Sequence, residues 1–280
     1  MEPDTLVREY LLLGLRFDRV EQGYVDSFTG DPALRQTVES EPAPDPAGMA
    51  AQAERLLAEL PRVPQANGFS AFSEERASYI RAHLRALACA GRKFAGRPVG
   101  FVDEVEAYFD VHITKGDPEQ YRQAHRKLDE ALSGTGPLVD RMAAYRAGEE
   151  IPPDRLEEFI HVFSSALRDR VRSEFPLPDS ETITYEVVSD KPWSGFNYYL
   201  GDYRSTVAVN ADLRQQMSNL PRLVAHESYP GHHTEHCRKE AGLVARHGQT
   251  EQTLFLVNTP QCLMAEGLAD LALYVAIGPR

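Results

Sequence analysis

The 280-residue sequence is poor in cysteine, in tryptophan and in positive charge. Its three cysteines, Cys89, Cys237 and Cys262, are an odd number at wide spacings with no C-x-x-C pair, which excludes a disulfide framework and reads them as small buried thiols. Thirty basic against forty-two acidic side chains leave a net charge of -12, so no bulk positive potential exists to hold a phosphate backbone, and a nucleic-acid partner is not expected. No apolar run approaches the ~18 residues of a membrane span, and the opening Met-Glu-Pro-Asp lacks the basic end of a signal peptide. The expectation is a cytoplasmic chain with no membrane partner. Its length and 42% hydrophobic content suffice to bury a core in one large domain or two modest ones.

What is present is mostly helical in pattern. Leu6, Tyr10, Leu13 and Phe17 recur at spacings of three and four, which predicts an amphipathic helix over 5–20. Glu41-Pro-Ala-Pro-Asp-Pro46 breaks regular structure, and a second helix is expected over 49–60. Ser73 caps a third that runs to about residue 90. Asp117-Pro118 opens another over 121–132 with Gly134 as its stop, and Pro152-Pro153-Asp154 opens one that reaches Phe175. After Pro176 the period changes, and 182–188, 196–200 and 205–209 read as strands. Residues 251–277 return to a helical period, interrupted by Pro260. The expected fold is mainly α with a small β-sheet (α+β), divided into a helical region 1–175 and a region 176–280 that holds the sheet and the helices carrying chemistry.

His226-Glu-Ser-Tyr-Pro-Gly-His-His-Thr-Glu-His236 places four histidines and two glutamates within eleven residues, a density that points to a divalent transition metal. In an H-E-x-x-H helix two histidines one turn apart reach one zinc ion, and the glutamate acts on water. Here His226-Glu227 begins that pattern, but Pro230 stands where the second histidine belongs. A continuous helix would carry His232 ~9 Å along the axis, too far for one ion. Pro230 removes a helical donor and Gly231 permits backbone paths closed to other residues, so the pair can loop out and return His232 to the required level. The expectation is a helix broken over 229–231, with His226, His232 and Glu266 converging as ligands of one Zn2+ and Glu227 as the base. Asp270, one turn beyond Glu266, is placed to accept from the distal nitrogen of His226. The same segment offers a rival, His232-His-Thr-Glu235-His236, in the inverted order H-x-x-E-H with Glu235 as base. His233 is either a substrate contact or solvated, and Cys237 could be a softer ligand.

The combination His226-Glu-Ser-Tyr-Pro-Gly-His-His233 with Glu266-Gly-Leu-Ala-Asp-Leu resembles the bacterial "domain of unknown function 885" family, whose pattern is H-E-x-x-P-G-H-H followed by E-G-x-A. Tyr10-Leu-Leu-Leu-Gly-Leu-Arg16 through Asp26-Ser-Phe-Thr-Gly30 is similar to actinobacterial members. The resemblance implies a branch of the gluzincin metallopeptidases, with a zincin-like active-site helix beside the sheet. By the same similarity, 195–200 or 206–210 could line the cleft and pair with an extended substrate. Members are longer, so residues 176–280 are expected to be the start of a zincin-like catalytic domain that is incomplete at its C-terminus.

The expected function is a zinc-dependent hydrolase, a metallopeptidase acting on a peptide or other amide substrate, with a metal-activated water and Glu227 as general base. The alternative is a non-catalytic metal-binding or scaffold protein, because the oxyanion donor of a zincin is sought beyond the third ligand, where fourteen residues follow Glu266. The final helix, with Leu268, Leu271, Leu273, Tyr274, Val275 and Ile277, is apolar on more than one face. A missing C-terminal segment or a partner chain is expected to cover it.

Overall fold

The computed structural model describes residues 1–60 and 72–278. Helix α1 (Pro3–Asp18) is followed by strand β1 (Val25–Phe28) and helices α2 (Pro32–Ser40), α3 (Pro46–Glu59), α4 (Glu74–Phe94), α5 (Phe101–Phe109), α6 (Pro118–Ala131), α7 (Leu138–Gly148) and α8 (Leu156–Glu174). The chain then runs through β2 (Thr182–Val188), β3 (Gly195–Gly201), β4 (Arg204–Asn210), α9 (Leu220–Glu227), α10 (His232–Lys239), β5 (Leu254–Leu256) and α11 (Pro260–Ile277). The described residues are 60% helical with five strands in two sheets, the mainly α architecture with a small β component that the sequence predicts.

Helix starts share a local device. Asp31, Asp45, Asp117 and Thr259 each precede a proline at the first helical position, and each side chain accepts a backbone N–H of the first turn. The proline has no N–H to leave unmet, and the cap satisfies one of the others. Ser73 caps α4 in the same manner without a proline. Pro260 therefore begins α11 rather than interrupting a longer helix. Residues 254–256, expected to be helical, form β5, because they are buried and pair antiparallel with β1.

The second sheet has the order β2-β4-β3, with β2 parallel and β3 antiparallel to β4, so β3 is an edge strand. Apolar residues gather in two clusters. One joins α1, α3 and α4 through Leu6, Tyr10, Leu13, Leu56, Ile80 and Leu84, and takes Leu254 and Leu256 from β5. The other joins α8, β4, α9 and α11 through Ile160, Val171, Val207, Val224 and Ala272. Each fully buried Leu, Ile or Val contributes about 1.5–3 kcal/mol relative to exposure, so α9 is held firmly on its Leu220 and Val224 side. Helix α8 packs with this second cluster, although the composition shift lies after it.

Among the described residues helix α11 buries only Ala265, Ala269, Ala272 and Ala276, the last two in this cluster, and leaves Met264, Leu268, Leu271, Tyr274 and Val275 exposed. Its 18 residues are long and apolar enough, by length and composition alone, to cross a membrane. Glu266 and Asp270 interrupt its apolar run in the sequence.

Candidate metal centre

Helix α9 ends at Glu227, and the chain turns through Ser228, a cis Tyr229–Pro230 bond and Gly231 before α10 begins at His232. The turn folds back on the helix it leaves, since Gly231 N–H donates to Ala225 O at 3.0 Å. Only glycine fits there, because a β-carbon on residue 231 would stand 1.9 Å from His226 O and 2.4 Å from Ala225 O. Across the turn Thr234 N–H donates to Ser228 O and Glu235 N–H to Gly231 O, which seats α10 on the end of α9.

His232 thereby returns to the level of His226, with the two Nε2 atoms 3.1 Å apart. Glu266, from α11, brings one carboxylate oxygen to 3.4 Å from His226 Nε2 and the other to 3.5 Å from His232 Nε2. Zinc held at about 2.0–2.1 Å in tetrahedral geometry sets its ligand atoms about 3.3–3.4 Å apart. The two Nε2 atoms sit near that spacing, and one ligand atom from each of the three residues lies within 4.8 Å of the others, so a small movement brings two imidazoles and a carboxylate onto one ion. Among the described residues, His226, His232 and Glu266 are the group whose ligand atoms lie mutually close enough to share a metal.

Burial drives His226 toward neutrality, but Glu266, Glu227 and Asp270 outweigh it and raise its pKa. For His232 burial prevails over the pull of Glu266 and the pKa falls. The hydrogen bond from His226 lowers that of Glu266. Asp270 Oδ1 lies 3.3 Å from His226 Nδ1 and also accepts from Arg222 Nη2 at 2.7 Å. Arg222 precedes His226 by four residues, so helical spacing could have revealed it.

Glu227 is 6% exposed. Burial lifts its carboxyl to about 7, with His226 opposing and Glu266 and Asp26 adding to the rise. Strand β3 passes close over it: a β-carbon on Gly195 would stand 2.9 Å from Leu223 Cδ1 and 3.3 Å from Glu227 Oε1. Asn197 Nδ2 on the same strand donates to Glu227 O at 2.7 Å. These groups line one cleft of about 370 Å³, walled by β3, α9, α10, α11 and the β1–β5 ladder.

The other sequence candidates lie elsewhere or are engaged. His233 is neither a substrate contact nor solvated: it is fully buried, with Nδ1 2.8 Å from Ser205 Oγ and Nε2 3.1 Å from Glu181 Oε2. The reason is that Glu181, also fully buried, gathers Tyr229 OH at 2.6 Å, Arg168 at 2.7 Å and Arg172 at 2.6 Å around one carboxylate. Burial raises the pKa of Glu181, but the hydrogen bonds from His233, Tyr229 and Arg168 outweigh it and bring the value down to about 2. Cys237 Sγ sits 3.5 Å from His233 Nε2, within that buried network rather than among the ligand atoms. His236 lines the cleft but stacks on Tyr199 at 4.5 Å, and burial holds it neutral. Glu235 pairs with Lys239 at 3.3 Å, and neither it nor His236 belongs to the group of mutually close ligand atoms found among the described residues.

Sequence reasoning assigned no chemistry to Asp26 on β1, whose carboxyl is lifted to about 6, chiefly by burial, with Lys239 opposing and Glu266 adding. No local signal marks it, because the β1–β5 ladder that brings it to the cleft joins distant parts of the chain. Comparison with protein-family models, with curated proteins and with solved structures finds no match to this chain.

Proposed function

We propose that the chain is a zinc-dependent hydrolase of the gluzincin type, acting on the amide bond of a peptide. The observation that carries this reading is the convergence of two imidazoles and a carboxylate: one ligand atom from each of His226, His232 and Glu266 lies within 4.8 Å of the others, and the two Nε2 atoms are 3.1 Å apart, close to the ligand spacing of a zinc tetrahedron. Three protein ligands leave a fourth position open, as in catalytic rather than structural zinc sites. When bound, zinc supplies Lewis acidity and lowers the pKa of water toward ~7.

The chain's own groups supply the proton traffic and the positioning. Glu227, with a carboxyl lifted to about 7, is matched to take a proton from the attacking water and pass it to the leaving nitrogen. Asp270 and Arg222 hold the His226 ring on its far side. The free edge of β3 beside the cleft offers backbone groups to an extended peptide, the mode of β-strand addition. Neutral His236 and the Arg222 guanidinium are the donors on hand for a developing oxyanion, both upstream of Glu266 rather than beyond it.

Two variants test the assignment. Glu227→Gln is expected to keep zinc and abolish hydrolysis, because it removes a base and no ligand. Glu266→Gln is expected to weaken zinc by roughly 100-fold or more, since even the outer partners of metal ligands are worth 10–100-fold. Equal loss of zinc in the two variants, read by calorimetry, would refute the roles.

A further inference from the structure

We propose that Asp26 holds the primary ammonium group of a peptide substrate, the α-amino group at the peptide's free end, so that the enzyme trims peptides from that end. The inference rests on the peptidase reading above. Asp26 sits at an irregularity in the β1–β5 ladder: Val25 is opposite Leu256 and Ser27 opposite Phe255, which makes Asp26 the extra residue between them. Such bulges re-aim a side chain and recur beside active sites. Val25 and Ser27 are buried, whereas Asp26 is half-buried at the cleft wall next to Phe255 and Val257.

The Asp26 carboxylate makes no hydrogen bond or ion pair among the described residues. A second wall residue is also short of a donor. Asn197 Oδ1 is buried with no partner, and its orientation follows from the Nδ2 donation to Glu227 O. The Asp26 carboxylate, unpaired on the wall of a small cleft, suits a cation rich in N–H groups, and an ammonium offers three. The two cations concerned are engaged elsewhere, Arg222 by Asp270 at 2.7 Å and Lys239, whose charge lowers the Asp26 pKa from a distance, by Glu235 at 3.3 Å. A volume of about 370 Å³ accommodates the end of a short peptide.

The test is a calorimetric titration of zinc-loaded Glu227→Gln protein, which binds without consuming, against three forms of one short peptide. The forms have a free N-terminus and no lysine, an acetylated N-terminus and no lysine, and an acetylated N-terminus with one lysine. The free form is expected to bind about 10- to 100-fold more tightly than the acetylated form, the range of a charge-assisted hydrogen bond. Adding Asp26→Asn should bring that ratio near one, and Asp26→Glu should restore part of it. The acetylation arm needs no change at Asp26, so it stands even where that variant folds poorly. Equal binding of free and acetylated forms overturns the inference and leaves the peptidase reading intact. Tight binding of the acetylated lysine form overturns the assignment to the chain end. Failure of every form to bind, with no cleavage by the parent protein, overturns both readings.

Discussion

Replacing Gly231 by alanine tests the device on which the centre depends. The added carbon would stand 1.9 Å from His226 O and 2.4 Å from Ala225 O, both backbone atoms at the end of α9, so no side chain can swing aside to admit it. The turn must open, and the first casualty is the Gly231 N–H donation to Ala225 O. Loss of a buried hydrogen bond costs about 1–3 kcal/mol, and forcing an extra carbon into a packed site about 1–3 kcal/mol more. The sum, about 2–6 kcal/mol, lowers the melting temperature by roughly 5–20 °C for a chain of this size. Opening the turn also parts His232 from His226, so zinc affinity should fall at least ~100-fold, the upper cost of losing even an outer partner. Thermal melts with and without zinc, joined to calorimetric zinc titration, read both effects. Gly242→Ala is the control, since a β-carbon there meets nothing within 4 Å. A Gly231→Ala protein that melts within about 1 °C of the parent and binds zinc as well would refute the reasoning.

Two further outcomes are expected. Glu181 has a folded pKa of about 2, below its ordinary value near 4.5, so the stability it supplies is present above pH 4.5 and lost as pH falls toward 2. Glu181→Gln should cost about 1–2 kcal/mol at pH 7, a figure reduced because Arg168 and Arg172 are 42% and 29% exposed and water screens them. The gap to the parent should close between pH 5 and pH 2 in thermal melts, and a gap constant with pH would refute the assignment. The exposed apolar side chains of α11 predict concentration-dependent association, relieved by joint Leu268→Gln and Leu271→Gln and measured by light scattering. A monomer at every concentration would count against it.

Much of the centre is legible in the order of residues. The interval from His226 to His232 exceeds the H-E-x-x-H spacing by Pro230 and Gly231, and those two residue types can leave a helix and re-enter it, so local chemistry alone anticipates the break. Glu266 and Asp270 lie four apart on one helix, which brings both to one face whatever the helix packs against. Caps at Ser73 and Asp117, and β-branched runs after Pro176, are likewise short-range features, set by backbone sterics and by N–H groups that must be met within a turn.

Other features exist only in the folded chain. Residues 254–256 carry a helical period, yet they become a strand because β1 supplies an open edge and the surrounding apolar side chains bury them. That ladder, joining residues more than two hundred positions apart, is what turns Asp26 from a surface acid into a wall of the cleft. His233 reads as solvated or substrate-facing beside its neighbour, but Glu181 from the start of the sheet claims it. Helix α8 follows the apolar faces of α9 and α11 rather than the composition of the segments before it. The periods of 3.6 and 2 and the caps report on interactions closed within a few residues, so the order of residues suffices to fix them. Which buried acid pairs with which base, and which edge takes which strand, depends on burial summed over the whole chain, which no local segment contains.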